Sequence, residues 1–152
     1  MRKFINILLV LCLIALIFYF VKRGEEKEMI QEEVKKIIIN VNDRDLVVEL
    51  ENNSSADYFY KRLKKESITV NAKDYGNFEK VGTLEFDCPR NDEMIETKAG
   101  DLILYQGNQI TLYYDTNKYN LTRLGHVTNL DSFELKELLG KGDTVLKFSI
   151  KK

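Results

Sequence analysis

The middle of the chain carries a polar stretch whose residue types could bind a ligand. Asp74, Tyr75, Asn77 and Glu79 fall within six residues and offer two carboxylates, an amide and a phenol ring. Asp, Gly and Asn are also the residue types that a tight turn requires, so the stretch has a purely structural interpretation as well. We predict these four residues as candidate ligand-binding residues and keep the turn as the alternative.

Arg123 and Tyr105 complete the predicted ligand-binding set. Arg123 lies between apolar neighbours, and its guanidinium group could face a carboxylate or a carbonyl of a ligand. It could equally pair with Glu79 or Asp101 and hold a loop against the rest of the domain. Tyr105 is one of several tyrosines in the second half of the chain that suit either the rim of a binding surface or the packing of a domain.

No catalytic constellation accompanies these residues. His126 is the only histidine and stands without the Ser, Cys or Asp motif of a nucleophilic site, so we expect a structural role for it. Cys88 could act as a nucleophile, but an incidental thiol is the simpler interpretation. The other cysteine, Cys12, lies in an apolar segment, and one His with one domain Cys cannot build a zinc-type site. We therefore predict no metal and no cofactor, and we name no catalytic residue.

The N-terminal segment predicts a membrane anchor. Residues 4–21 read FINILLVLCLIALIFYFV, an apolar run that Asn6 alone interrupts. As a helix it would be roughly 27 Å long, close to the hydrocarbon thickness of a bilayer. No small residues mark a signal-peptide cleavage site after it, and Leu11 before Cys12 argues against a lipoprotein signal. A helix that is apolar on all faces is also a poor core helix, so we predict an uncleaved transmembrane signal anchor over residues 1–23.

Basic residues stand on both sides of this run and nearly balance as orientation signals. Arg2 and Lys3 favour a cytoplasmic N-terminus, while Lys22 and Arg23 compete with them. A short basic tail followed by an apolar run is the layout of a signal anchor. We therefore expect a single-pass membrane protein with its domain outside the cytoplasm, joined to the anchor by a charged spacer over residues 24–35.

The rest of the chain has the length and composition of one folded domain. The 152 residues are 44% hydrophobic and 31% charged. Removing the four basic residues beside the apolar run from the 23 Lys and Arg leaves 19 against 24 Asp and Glu, a net charge of −5. Nucleic-acid binding depends on neutralising phosphates, so we expect no nucleic-acid partner for this acidic domain.

The domain sequence predicts short strands with two short helices. Two β-branched runs within 36–50 predict a hairpin, and the Asn-rich turn after it can cap a helix over 56–65. A second helix is predicted over 131–139, capped by Asp131 or Ser132. Further strands are predicted at 67–71, 102–105, 109–115, 122–128 and 143–150.

The segments between these elements are predicted as loops. Residues 74–80 are typical of a turn-rich loop, and residues 86–99 of a long irregular one. Gly125, inside a predicted strand, indicates a bulge or the close approach of another backbone. About seven or eight closely spaced strands of this kind are typical of a barrel or a sandwich.

Four ordered segments resemble the bacterial cyclophilin-like domain family. They read DYGNFEKVGTL, AGDLILYQGNQITLYY, YNLTRLGHV and ELKELLGKGDTVLKFSI, and they lie at residues 74–84, 99–114, 119–127 and 134–150. Together with the first hairpin and the capped helix, the resemblance covers residues 36–152. It implies a mainly β fold, a closed antiparallel cyclophilin-like β-barrel with two short helices. Residues 85–96 depart from the family, since its usual Leu-Pro before the long loop is absent and Pro89 comes later.

The resemblance implies no particular activity, because members of this group are mostly of unknown function. True cyclophilins place an Arg and apolar side chains around a proline pocket, beside a Phe-x-x-Gln-Gly-Gly-Asp type strand. The nearest stretch here, residues 104–108 (LYQGN), lacks that pattern. We predict a membrane-anchored module that binds a peptide or a small molecule. A peptidyl-prolyl isomerase acting on cell-envelope proteins is the alternative, and an assembly partner of another envelope protein is a third interpretation.

Overall fold

The structure, a computed structural model, describes residues 2–25, 34–140 and 142–150 of the chain. The chain falls into two compact units, Met1–Glu33 and Val34–Lys152. The boundary lies within the predicted spacer, most of which is outside the described residues.

In the part of the first unit that the structure describes, the chain forms a helix, α1 (Arg2–Glu25), and the side chains described there, 11–22, are exposed. Within the part of the chain that the structure describes, no helix has both the length and the apolar character needed to cross a membrane. The predicted anchor therefore stays a prediction from the sequence.

Among its described residues the second unit contains nine strands, which are β1 (Lys36–Val41), β2 (Arg44–Leu50), β3 (Ile68–Tyr75), β4 (Glu79–Thr83), β5 (Glu93–Glu96), β6 (Asp101–Tyr105), β7 (Gln109–Tyr113), β8 (Lys118–Val127) and β9 (Thr144–Ile150). Eight of them form an antiparallel barrel in the order β2-β1-β9-β3-β4-β7-β6-β8, and the pairing of β8 with β2 closes it. The ninth, β5, pairs with the first half of β8. The implied closed barrel is confirmed.

Alternating side chains fill the barrel with one aliphatic core. Along β1 and β2 every second residue is buried, as a strand with one face on a core requires. Two helices, α2 (Ser54–Leu63) and α3 (Ser132–Leu139), add their buried residues to the same core. The Phe59 ring of α2 meets Phe148 of β9 edge to face, with 5.5 Å between the ring centroids. Both predicted helices of the domain are thus confirmed.

Side-chain caps fix where these two helices begin. The Asn53 side chain accepts a hydrogen bond from the Ala56 backbone N–H, so α2 begins at Ser54, two residues before its predicted start. Asp131 caps α3 and forms a capping box with Glu134. The second cap is one of the two that the sequence allows.

The structure corrects the prediction of a loop over residues 74–80. β3 runs to Tyr75 and β4 begins at Glu79, directly opposite it in the antiparallel register. Only the three residues between them turn, and Gly76 and Asn77 both have positive φ, 60° and 57°, as the primed hairpin turns require. The loop prediction is wrong because the turn chemistry is confined to those two residues, while the polar residues around them belong to strands.

The long polar segment 86–99 contains a strand that the sequence does not reveal. β5 is short and almost wholly exposed, so it lacks the apolar alternation that predicts a strand. Its pairing extends β8 back to Lys118, before the predicted start at 122. The irregularity predicted at Gly125 is confirmed, because the register of β6 and β8 shifts there and a Cβ on this residue would lie 2.4 Å from the Glu49 backbone oxygen.

Candidate functional site

Strand alternation divides the side chains of β4 and β7 between the two faces of the barrel wall. Lys80 pairs with Leu112 and shares its inward face, whereas Glu79, Thr111 and Tyr113 face outward. These outward residues are nevertheless 7% exposed or less, because other side chains of the domain rise around them. They form the floor of a groove with a volume of about 450 Å³ on the outside of the barrel.

Aromatic rings stand on both sides of this groove. From the β3–β4 turn, Tyr75 contacts Phe78 edge to face at 6.1 Å, and Phe78 stacks on Tyr113 at 5.9 Å between centroids. From the other side, Tyr105 of β6 and Tyr119 of β8 meet at 6.0 Å. Each of these five side chains lines the groove, so a bound molecule would lie among ring faces and edges.

A small second apolar cluster supports the groove from below. Ile103, Tyr113 and Leu121 are its buried members, and Ile95 of β5 packs against them. This cluster lies outside the barrel core and depends on β5 for part of its cover. The floor of the groove is therefore a packed surface on rigid strands.

Glu79 is the one carboxylate among the described residues that line the groove, and it is nearly buried. Burial raises the pKa of its carboxyl group, and a hydrogen bond from the Tyr113 hydroxyl acts in the opposite direction. Burial and the facing carboxylate both raise the pKa of Tyr113, which therefore stays protonated and donates. Among the described residues, no Lys, Arg or His forms an ion pair with Glu79.

Thr111 places an unsatisfied hydroxyl group beneath the groove. Its side chain is 3% exposed, and its buried hydroxyl oxygen has no hydrogen-bond partner among the described residues. Leaving a buried hydroxyl without a partner costs about 1–3 kcal/mol.

The comparisons with known proteins identify the family of this domain. A family model described as the cyclophilin-like family matches residues 39–151, which include nearly all of the barrel. The chain belongs to the cyclophilin-like family. A search of the curated proteins found no match.

A solved structure is similar to this cyclophilin-like domain. It is the solution structure of a hypothetical protein from Archaeoglobus fulgidus, with a TM-score of 0.58 at 14% sequence identity. The match covers 81% of this chain and 100% of the other. At such low identity the similarity supports the fold of the cyclophilin-like domain and nothing finer.

Three of the six predicted site residues meet in the groove, and three do not. Tyr75, Glu79 and Tyr105 line it. Asp74 pairs with Lys80 and accepts a hydrogen bond from the Tyr114 hydroxyl at 2.6 Å, away from the groove. Asn77, with its positive φ, serves the hairpin turn that the sequence offered as the alternative.

Arg123, the sixth predicted residue, contributes to a buried charge cluster instead. It donates to Asp101 at 3.0 Å, which is one of the two pairings that the sequence allowed. Asp101 is fully buried, also accepts the Lys98 backbone N–H at 3.1 Å, and lies 2.8 Å from Nδ1 of His126. The cluster ties β6, β8 and the preceding turn together, so His126 has the structural role expected of it.

Two residues on the floor of the groove, Thr111 and Tyr113, were not among the site residues predicted from the sequence. Thr111 and Tyr113 belong to a predicted strand, but the sequence does not say which face of it carries a site. Asn117 enters from the loop before β8, and its side chain donates to the Tyr113 hydroxyl at 3.4 Å. Only the pairing of β4 with β7 brings Glu79 opposite Tyr113, and no local pattern encodes that pairing.

The Cys88 thiol and a metal site were the other candidates for chemistry, and the described residues support neither. Cys88 is buried in the barrel core, and burial raises the pKa of its thiol to about 11, so it is protonated and unreactive at neutral pH. Within the described residues, no group of three His, Cys, Asp or Glu residues could hold a metal ion.

Proposed function

We propose that this cyclophilin-like protein is a membrane-tethered binding module whose outer groove holds a peptide or a small molecule. One observation carries the proposal: the groove combines aromatic walls with Glu79, a nearly buried carboxylate that has no ion-pair partner among the described residues. Apolar pockets with a few convergent polar groups are the usual form of a ligand site. Stable proteins rarely leave such groups unpaired without a function.

Binding fits the residues of the groove better than catalysis does. Its described lining contains no Lys, Arg, His or Cys, so it holds no Ser–His or Cys–His pair of the kind that activates a nucleophile. Arg123, which could have served an isomerase site, is engaged by Asp101 and does not line the groove. The isomerase alternative therefore has no observation in its favour among the described residues.

The tether is supported by the sequence alone. Residues 4–21 have the length and apolar character of a bilayer span, and a short basic tail precedes them. The proposal places the domain outside the cytoplasm, where it would meet ligands of the cell envelope.

A ligand screen on the full chain in a mild nonionic detergent tests the proposed function. Saturation-transfer NMR against a library of small molecules and proline-containing peptides would give the hits. Tyr75 and Tyr119 are 64% and 52% exposed, so replacing both by Ala removes groove walls without opening the core. Phe133→Ala is the matched control, since Phe133 is 72% exposed and does not line the groove.

We expect hits that the double Tyr→Ala variant loses and the Phe133→Ala variant keeps. Hits that survive the loss of both tyrosines, or a screen without hits, would contradict the proposal. Isomerisation of a proline peptide faster than the thermal rate, abolished in the same double variant, would replace it with the isomerase alternative.

A further inference from the structure

The groove is short of positive charge. Glu79 is 7% exposed, and a buried carboxylate in the ionised form is costly unless a cation or several hydrogen bonds compensate it. Among the described residues, the Tyr113 hydroxyl donates a compensating hydrogen bond to it. None of the described residues that line the groove is basic.

Other carboxylates with little exposure in the described domain differ from Glu79, because they have a cationic partner. Three other carboxylates with little exposure each face a cation within the chain, and these pairs are Asp101 with Arg123, Asp74 with Lys80, and Asp92 with Arg90. Glu79 is therefore an exception to a consistent pattern, and it is the one such acid that lies in a groove.

The surroundings of this carboxylate favour an organic cation over a metal ion. Five aromatic side chains line the same groove, and ring faces attract ammonium and guanidinium groups. A divalent metal would need several oxygen ligands, and Glu79 is the single described carboxylate in the lining.

We propose that the groove binds a small organic ammonium ion, with the positive nitrogen opposite the Glu79 carboxylate and its carbon substituents against the aromatic walls. This inference rests on the proposed function and deepens it, because it names the chemical class of the ligand. Charge selects the cation, since the rings alone would accept a neutral molecule of the same shape. Val81 and Leu121 give the substituents an apolar floor.

The test compares a cation with its uncharged isostere. Choline and 3,3-dimethylbutan-1-ol have the same shape, and the second has carbon in place of the charged nitrogen. Each is titrated into the full chain in nonionic detergent, at constant ionic strength, and the backbone amide signals of β4 and β7 are followed by NMR. We expect choline to shift these signals with at least a tenfold lower Kd than the isostere.

The variant Glu79→Gln isolates the charge, because Gln keeps the shape and can still accept the Tyr113 hydrogen bond. We expect it to weaken choline at least tenfold while leaving the affinity for the isostere within about twofold. Glu137→Gln, at an exposed position of α3 outside the groove, is the matched control and should bind both probes as the parent chain does.

Failure of this inference is distinguishable from failure of the proposed function. Equal affinities for choline and its isostere, or choline binding that Glu79→Gln leaves unchanged, would overturn the ammonium ligand and leave the groove as a binding site. Choline without effect, beside groove-directed hits from the wider screen, would do the same. If no probe binds in the groove, both the ammonium ligand and the proposed binding function are overturned.

Discussion

Glu79 and Lys80 are neighbours in β4 but lie on opposite faces of the barrel wall, and their charges are compensated to different degrees. On the inner face, Lys80 is fully buried, and its ammonium group donates to Asp74 and to the Gly142 carbonyl, the latter at 2.6 Å. The Tyr114 ring lies 5.1 Å from the same nitrogen. On the outer face, the described residues give Glu79 a hydrogen bond from the Tyr113 hydroxyl and no ion pair. The Lys80 charge inside the barrel therefore has an ionic partner, and the Glu79 charge outside has none among the described residues.

The difference in compensation between Lys80 and Glu79 separates a charge that stabilises the fold from one that is available for binding. Both charges are buried and belong to the same strand, β4, so burial alone does not distinguish them. The inner cluster lowers the pKa of Asp74, chiefly through hydrogen bonds from Lys80 and Tyr114, whereas burial raises the pKa of Glu79. Replacing a saturated charge should damage the protein, and replacing an unsaturated one should stabilise it.

The largest effect is expected from Lys80→Met. It leaves Asp74 and the Gly142 carbonyl without their cation, and breaking a buried pair costs about 3–5 kcal/mol of unfolding free energy. We expect a loss near the lower end, about 3 kcal/mol, because the Asp74 side chain remains 23% exposed. Urea unfolding of the full chain measures it. Adding Asp74→Asn should recover part of the loss, and a loss below about 1 kcal/mol would show that the inner cluster is not saturated.

Glu79→Gln should change stability in the opposite direction. It removes a buried charge without an ionic partner and keeps the hydrogen bond from Tyr113, so we expect a gain of about 1–2 kcal/mol at neutral pH. The same urea titration measures it, with the exposed Glu137→Gln as a control that should stay within about 0.5 kcal/mol of the parent. A destabilised Glu79→Gln variant would mean that the carboxylate is satisfied in the free protein.

The stability gain of Glu79→Gln should depend on pH. Because the pKa of Glu79 is raised on folding, its contribution favours the folded state at low pH and is lost as pH rises above its ordinary value of 4.5. The gain from Glu79→Gln should therefore vanish at low pH and grow as pH rises. Tyr75, Tyr105, Tyr113 and Tyr119 line the groove with Glu79, and the Asp101 carboxylate is near enough to contribute to the raised pKa of Tyr113.

Asp74 should show the reverse dependence. Its pKa is lowered on folding, so its contribution is present above its ordinary value of 3.8 and is lost as pH falls below it. Asp74→Asn should thus be most harmful at neutral pH and least harmful in acid. Urea midpoints of both variants between about pH 3 and pH 8 check the two signs, and parallel curves would contradict the assignment.

Thr111→Val carries the smallest expected change. The substitution replaces an unpaired buried hydroxyl with a methyl group of the same shape, so we expect a gain of up to about 1 kcal/mol in unfolding free energy. Urea unfolding measures it. Thr69→Val, at an exposed position of β3, is the matched control and should stay within about 0.5 kcal/mol of the parent. A stability loss at Thr111 would show that its hydroxyl has a partner in solution.

Local chemistry explains why much of the fold could be predicted. The β-branched runs of the first hairpin, the caps of α2 and α3, and the glycine at the bulge in β8 each carry their signal within a few residues. The hairpin of β3 and β4 was missed because Lys80 occupies an inward position, and a charged residue there breaks the apolar alternation. Its partner Asp74 lies across the hairpin, so the compensation is tertiary.

The candidate site was harder to predict for the same reason. Tyr75, Glu79 and Tyr105 could be named from their types, but Arg123 could not be assigned to Asp101, 22 residues away, without the pairing of β6 with β8. Thr111 carries no signal in its own sequence neighbourhood. Its importance comes from an absent partner, and only a folded structure reveals which partners a residue has.

The pKa of Glu79 in the full chain, measured from the pH dependence of its side-chain carboxyl carbon signal by NMR, tests the central claim most directly. The signal is assigned by its absence in Glu79→Gln. We expect a pKa above the ordinary 4.5 in the free protein, and a fall when choline is added. A pKa at or below 4.5 without any ligand would mean that this carboxylate already has a partner. That result would contradict the proposal that the groove binds a cation.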